Sequence, residues 1–300
     1  MTSHEPVSFD TEDGVTLRGS LYLPTGSGPH PGITMAHGFG GTIEQDLRPY
    51  AERFADDGFA VLLHDHRGWG ASEGEPRQDI DPWRQIADWR RAITFLATRP
   101  EIDPGRIGLW GTSYAGGHAL VLGATERRIR AVVAQVPTIS GYEQGLRRVS
   151  PDRTAALEAM FDADEQDNFL GKPLRRQQLV SADPSVPASY YLPDAVEFYL
   201  REHPNSLWRN EVTLRSNRAA RMYEPGAWAS RVSPTPLLLI VATHDTVTVT
   251  DLALAAYERA LEPKRLVLVP GGHFDPYVKE FEASSSAALA WFREHLKEAR

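Results

Sequence analysis

The chain has 300 residues, of which 41% are hydrophobic and 24% are charged, proportions that are ordinary for a globular protein and argue against extensive disorder. It has no cysteine, which excludes a disulfide framework, a thiolate metal site and a cysteine nucleophile. The formal net charge of −8 argues against non-specific binding to nucleic acid.

The first ten residues lack a basic region followed by an apolar stretch, so we expect no signal peptide and a cytoplasmic location. No apolar run approaches the roughly 20 residues that span a bilayer, and we expect no membrane association.

Strands and helices alternate in the first half of the chain. Residues 15–23 alternate between apolar and polar side chains, which predicts a half-exposed strand. Buried strands are predicted at 32–36, 60–63, 107–110 and 129–136, and apolar residues recur at helical spacing over 47–55, 80–96 and 114–122. This alternation is typical of a parallel sheet that is covered by helices on both faces.

The alternation stops between residues 138 and 232, which are polar, rich in arginine and proline, and contain no clear buried strand. It resumes with predicted strands at 237–242 and 265–269 and helices at 251–260 and 285–296. We therefore predict an α/β core of residues 1–137 and 233–300. Residues 138–232 are too long for an ordinary loop and are predicted to form a mainly helical cap, or lid.

Ser113 lies in a sharp turn between a predicted strand and a predicted helix, in the sequence GTSYAGG. Small residues are needed around a nucleophile that is held in such a strained turn. The common pattern is G-x-S-x-G, and Ala115 takes the place of its last glycine. The alternative is a glycine-rich turn in which the serine has no chemical role.

His273 and Asp245 each follow a predicted strand of the second half. His273 lies in the glycine turn PGGHF, where it could take the proton of a serine hydroxyl. Asp245 lies in THDT, where a carboxylate could orient that histidine. Asp251 is the rival acid, although its position suits the first turn of a helix. We predict the catalytic triad Ser113, Asp245 and His273.

The turn HGFGG at residues 37–41 follows an early strand. Such a loop can direct a backbone N–H at the oxyanion that forms on an attacked carbonyl. We predict an oxyanion hole made by the N–H groups of Phe39 and of Tyr114, the residue after the nucleophile. A glycine-rich turn without a role is the alternative.

Several segments on both sides of the insertion resemble blocks of the α/β-hydrolase superfamily: HGFGG, DHRGWGASEG, DPGRIGLWGTSYAGGH, HDTVT and GGHFDPY. The order Ser, Asp, His along the chain is also that of α/β-hydrolases. The Ser-Tyr pair and RGWGASEG are similar to those of the X-prolyl dipeptidyl peptidase and cocaine esterase group. Enzymes of that group carry a C-terminal β domain. Only one predicted helix follows His273, so we expect neither that domain nor peptidase specificity.

The run from DPWRQI through WGTSYAGGH to VVAQVPTISG resembles the polyketide-transferase-like and thiohydrolase branch of the same superfamily. The resemblance implies an α/β-hydrolase fold and assigns Ser113 as nucleophile, Asp245 as acid and His273 as base. It also implies a small-molecule acyl ester or thioester as the substrate.

We therefore expect a serine hydrolase that forms an acyl-enzyme and releases the acyl group to water or transfers it to an alcohol. The alternatives are hydrolysis of a carbon–carbon bond or lactone by the same triad, and a non-catalytic ligand-binding homologue. No cofactor or metal is expected, since His64 and His66 offer only two ligands. Tyr142 is a candidate for substrate binding, and the sequence does not reveal an oligomeric state.

Overall fold

The computed structural model describes residues 3–204 and 206–297. In chain order its strands are β1 (Ser3–Asp10), β2 (Thr16–Leu23), β3 (His30–Ala36), β4 (Ala60–His64), β5 (Ile102–Thr112), β6 (Ile129–Gln135), β7 (Arg176–Val180), β8 (Ala188–Tyr190), β9 (Val212–Thr213), β10 (Leu237–Ala242) and β11 (Lys264–Val269). Its α-helices are α1 (Arg48–Asp56), α2 (Pro82–Thr98), α3 (Tyr114–Thr125), α4 (Gly141–Arg148), α5 (Pro151–Phe169), α6 (Pro193–Leu200), α7 (Leu214–Met222), α8 (Thr250–Arg259) and α9 (Phe281–Phe292). Shorter helical turns lie at Pro225–Arg231, Asp275–Tyr277 and Arg293–Lys297.

The central sheet has eight strands in the order β1-β2-β4-β3-β5-β6-β10-β11. The pairs β1–β2 and β2–β4 are antiparallel, and the other neighbouring pairs are parallel. Helices α2, α3 and α8 pack on one face of the sheet, and α1 and α9 pack on the other. This arrangement confirms the predicted mostly parallel sheet with helices on both faces.

Local sequence explains where the core elements begin and how they pack. Every residue of β10 is buried, as is expected of a parallel strand with helices on both faces. Helix α2 begins after Asp81, whose side chain accepts hydrogen bonds from the N–H groups of Trp83 and Arg84. Its apolar face, which includes Trp89, is buried against the sheet. Because the parallel strands run in one direction, their carboxyl ends lie at the same edge of the sheet, where the turns after β3, β5, β10 and β11 meet.

Strand β1 is absent from the sequence-based prediction. It contains Pro6 and lacks regular alternation, and it forms the outer edge of the sheet, pairing along its length with β2. Proline is tolerated in such an edge strand, because one side of the strand needs no ladder hydrogen bonds. A pattern typical of an inner strand is therefore not required there.

Residues 138–232, here called the cap segment, contain α4 to α7 and the turn Pro225–Arg231, so the insertion is mainly helical as predicted. They also contain a small sheet in the order β8-β7-β9, which the sequence analysis did not predict. These strands have five residues or fewer, too few to show a clear period. Among the described residues, no helix combines the length and apolar content needed to cross a membrane.

Candidate active site

Ser113 lies between β5 and α3 at the carboxyl edge of the sheet. Its backbone has φ 56° and ψ −118°, a conformation that is rare for residues other than glycine. The turn is so tight that a Cβ added to Gly111 would lie 2.2 Å from the carbonyl oxygen of Ala115. The small residues around Ser113 are thus required by close approach of the backbone, and the half-buried side chain is presented at the edge of the sheet.

The turns after β10 and β11 bring Asp245 and His273 to Ser113. His273 Nε2 lies 3.0 Å from Ser113 Oγ, and His273 Nδ1 lies 2.7 Å from Asp245 Oδ2. Both the histidine and the aspartate are buried. The three side chains form one continuous hydrogen-bonded chain, which is the geometry that activates a serine hydroxyl.

The surroundings of Asp245 favour its ionised form. The N–H groups of Val247 and Thr248 donate to its Oδ1 at 2.7 and 2.8 Å, and the Thr248 hydroxyl lies 2.7 Å from its Oδ2. Burial alone would raise the pKa of this carboxyl, but the charge and hydrogen bond of His273 and the hydrogen bonds of Thr248 lower it to about 2. Asp245 therefore carries a negative charge at neutral pH and can stabilise a protonated His273.

Asp251, the rival acid, lies in the first turn of α8. Its carboxylate accepts hydrogen bonds from Arg147 at 2.6 and 2.8 Å and is exposed. The structure therefore places Asp245, and not Asp251, beside His273.

The HGFGG turn, here called the oxyanion loop (residues 37–41), lies directly against Ser113. A Cβ added to Gly38 would be 2.8 Å from Ser113 Cβ. Phe39 is the next residue, and its ring contacts that of Tyr114 with 5.4 Å between centroids. Tyr114 is the first residue of α3, so its N–H has no carbonyl one turn earlier to bond. The structure thus places Phe39 and Tyr114 side by side, each directly after a residue of the close contact between Gly38 and Ser113.

His37 holds the peptide group that carries the Phe39 N–H. The backbone N–H of His66 donates to His37 Nε2 at 3.1 Å, so the proton of the neutral ring is on Nδ1 and is donated to the carbonyl of Gly38, 3.0 Å away. Burial lowers the pKa of His37 to about 4, which keeps the ring neutral. Because the Gly38 carbonyl and the Phe39 N–H belong to one peptide group, this bond orients the N–H.

A family model described as X-Pro dipeptidyl-peptidase (S15 family) matches residues 13–275 of the chain. The chain belongs to the S15 family. Relatives of this S15 member include quorum-quenching protein AidA of Acinetobacter baumannii, which is 36% identical over 278 residues, 91% of this chain and 89% of the relative. Thiohydrolase aneE of Aspergillus aculeatus is 32% identical over 275 residues, 88% of this chain and 84% of the relative.

Solved structures agree with this assignment. The α/β-hydrolase GrgF from Penicillium matches with a TM-score of 0.86 and 27% identity, over 99% of this chain and all of that one. DcsB in complex with its substrate analogue matches with a TM-score of 0.87 and 26% identity, over 99% of this chain and 100% of that one. The S15 chain is therefore an enzyme of the α/β-hydrolase fold, and both family resemblances seen in the sequence are confirmed.

Tyr142 lies apart from the other site residues of this S15 chain. Its exposed side chain lines a surface groove between α4, α7 and α8, and none of Ser113, Asp245 and His273 lines that groove. The structure thus brings the predicted triad and oxyanion residues together without Tyr142, whose role in substrate binding stays a prediction.

Two site residues were missed by the sequence analysis. Thr248 follows Asp245 by three residues, a spacing at which an aspartate often accepts a hydrogen bond from the backbone, so HDTVT contained a usable signal. His37 stands first in HGFGG, but its role depends on His66, which lies 29 residues away. No local pattern reveals that contact.

Proposed function

We propose that this protein cleaves a small-molecule acyl ester or thioester through an acyl-enzyme on Ser113. The 3.0 Å contact between Ser113 Oγ and His273 Nε2 carries the proposal. It places a base within reach of the serine proton. Thiohydrolase aneE has a further counterpart in polyketide transferase ATR5 of Stachybotrys chlorohalonatus, which is 31% identical over 279 residues, 91% of this chain and 91% of the relative. The names of these two relatives support a thioester or ester as the bond attacked.

In the first half of the proposed reaction, Ser113 Oγ attacks the acyl carbonyl carbon while its proton moves to His273 Nε2. Asp245 holds the Nδ1–H and stabilises the imidazolium. The N–H groups of Phe39 and Tyr114 donate to the oxyanion. Collapse of the tetrahedral intermediate breaks the bond to the leaving oxygen or sulfur, which takes the proton from Nε2.

In the second half, water or an alcohol attacks the acyl-enzyme. His273 takes the proton of this acceptor, and a second tetrahedral intermediate collapses to release the acyl product and to return the proton to Ser113. The proposal treats residues 1–137 and 233–300 as the catalytic core. The cap segment would cover the acyl group and select the acceptor.

The direct test is labelling of the full chain with a fluorescent fluorophosphonate, beside hydrolysis of p-nitrophenyl esters and acyl thioesters of graded chain length. We expect the wild-type protein to be labelled and Ser113→Ala to lose both labelling and hydrolysis. Ser185→Ala, a change at an exposed serine of the cap segment, is the matched control and should behave as wild type. A folded wild-type protein that resists the phosphonate and every acyl substrate would refute the proposal.

A further inference from the structure

Two aromatic side chains of the cap segment donate hydrogen bonds to the backbone of the oxyanion loop. The Tyr199 hydroxyl donates to the carbonyl of Phe39 at 2.8 Å, and Trp208 Nε1–H donates to the carbonyl of Gly40 at 2.7 Å. The two rings stack on one another, with 5.9 Å between centroids and 19° between planes. The cap segment therefore holds two consecutive carbonyls of this loop.

With these bonds, the peptide groups on both sides of the Phe39 Cα are held by hydrogen bonds. The preceding peptide group is held from the core, because His37 Nδ1–H and the Gly41 N–H both donate to the carbonyl of Gly38. The following peptide group is held from the cap segment by Tyr199. Glycines flank Phe39, so the loop has little conformational preference of its own. The direction of the Phe39 N–H thus depends on both sets of hydrogen bonds.

Tyr199 also links the oxyanion loop to the loop that carries His273. Its ring packs edge-on against that of Phe274, with 5.9 Å between centroids, and the neighbouring Phe198 stacks on Phe274 at 4.6 Å. Tyr199 is buried, and its hydroxyl is the one polar group of the side chain. Helix α6 therefore contacts the residue after the proposed base as well as the loop with the proposed oxyanion donor.

We propose that Tyr199 and Trp208 are positioning residues that set the direction of the Phe39 N–H, so that the oxyanion hole is complete only when the cap segment is docked on the loop. This inference rests on the proposed function. An oxyanion donor must lie about 2.7–3.1 Å from the developing charge, and small misplacements of reacting groups cost large factors in rate. The two cap residues would thereby act on the transition state and leave binding of the substrate's ground state unchanged.

The test uses Tyr199→Phe and Trp208→Phe, each of which removes one donor and keeps an aromatic ring. We expect kcat on a p-nitrophenyl ester and the rate of fluorophosphonate labelling to fall roughly 10- to 100-fold in each variant, with KM changed less than about threefold. Tyr191→Phe is the matched control. The Tyr191 hydroxyl donates to Val186 within the cap segment, so this variant should keep the wild-type rates.

A second readout separates positioning from simple loss of structure. A trifluoromethyl ketone that matches the preferred acyl chain forms a hemiketal oxyanion with a reactive serine, whereas the corresponding secondary alcohol forms none. We expect Tyr199→Phe and Trp208→Phe to weaken binding of the ketone about tenfold or more and to leave the Kd of the alcohol unchanged. Circular dichroism establishes that each variant is folded, and if one variant does not fold, the other still tests the inference.

The results distinguish failure of this inference from failure of the proposed function. Wild-type protein that forms no adduct with the phosphonate or the ketone would refute both. Wild-type protein that reacts, together with both variants reacting at the wild-type rate, would refute the positioning role alone. Equal weakening of ketone and alcohol binding would also overturn it, because the two residues would then shape the pocket and not the oxyanion hole.

Discussion

Three residues around the proposed nucleophile have backbone conformations that L-amino acids rarely adopt. Ser113, Val136 and Val249 have φ values of 56°, 36° and 67°, and each such residue costs about 1–3 kcal/mol. The surrounding hydrogen bonds hold this backbone in place. The Ser113 N–H donates to the carbonyl of Gln135, and the Val136 N–H donates to the carbonyl of Ile240 at 2.7 Å. Strain of this kind clusters at active sites, where it keeps reacting groups in a fixed geometry.

Asp245→Asn tests the role of the proposed acid. An amide at this position can donate to His273 Nδ1 and so favour the wrong tautomer of the ring, and it cannot stabilise the imidazolium. We expect kcat to fall about 10⁴-fold, the loss seen for this change in a serine protease triad. Steady-state kinetics on the best p-nitrophenyl ester would measure it. Asp251→Asn is the matched control and should retain activity, and the reverse pattern would show that the acid is Asp251.

The positions of the three proposed triad residues were predictable because each follows a short apolar strand, and Ser113 and His273 also lie in glycine-rich turns. That pattern is local, and the edge at which parallel strands end then brings the turns together. The roles inferred for His37 and Tyr199 depend on contacts with residues that lie far along the chain. Such contacts arise only when the elements pack, so one sequence does not reveal them.

At the scale of elements, Arg67 joins three parts of the core. Its guanidinium donates to Asp88 of α2 at 2.5 and 2.6 Å and to Asp13, in the turn between β1 and β2, at 2.9 and 2.8 Å. Asp88 is buried, whereas Asp13 is exposed. The RGWGASEG segment that marks the family resemblance thus has a structural role, which is to hold the antiparallel edge of the sheet against α2.

Arg67→Ala is expected to destabilise the protein by about 3–5 kcal/mol, because it leaves the Asp88 carboxylate buried without a partner. Asp13→Ala, which removes the exposed partner, should cost less than about 1 kcal/mol. Urea denaturation would measure both free energies of unfolding. Arg67→Leu combined with Asp88→Leu removes both charges and should be more stable than Arg67→Ala. Equal costs for Arg67→Ala and Asp13→Ala would contradict this account.

The elements themselves were predicted with uneven success. Strand β10 was predicted with its observed bounds, since six consecutive buried residues must be apolar. Strand β1 and the short strands of the cap segment were missed. An edge strand needs no second apolar face, and strands of two to five residues are stabilised by their neighbours and not by a pattern of their own.

At the scale of the whole molecule, four of the buried histidines contribute to the dependence of stability on pH: His37, His64, His66 and His118. The ring of His66 lies 4.6, 5.6 and 5.8 Å, centroid to centroid, from those of the other three. Burial lowers the pKa of His37 to about 4, of His64 and His118 to about 3, and of His66 well below its usual 6.5. The folded protein therefore keeps all four neutral in mildly acidic solution.

The direction in which stability changes with pH follows from the number of protons that the folded and the unfolded chain bind. Below pH 6.5 the unfolded chain binds protons at these histidines and the folded protein does not, so stability is lost as the pH falls towards 4. Asp65, Asp46 and Asp88 oppose this loss, because burial raises the pKa of each carboxyl, that of Asp65 to about 6, and the folded protein binds protons there first. Four histidines against three carboxyls leave a net loss. At about 1.4 kcal/mol per proton and pH unit, the free energy of unfolding is expected to fall between about pH 6 and 4.

His64→Phe tests how much one of these histidines contributes to the loss of stability at low pH. The His64 ring packs between Phe9 and Trp89, with 5.8 and 6.0 Å between centroids. Phenylalanine removes the titrating group and keeps an aromatic ring. We expect the slope of unfolding free energy against pH, measured by urea denaturation between pH 6 and 4.5, to fall by about 1.4 kcal/mol per pH unit. His4→Phe, at an exposed position, is the control and should keep the wild-type slope. An unchanged slope in His64→Phe would mean that burial does not hold this histidine neutral.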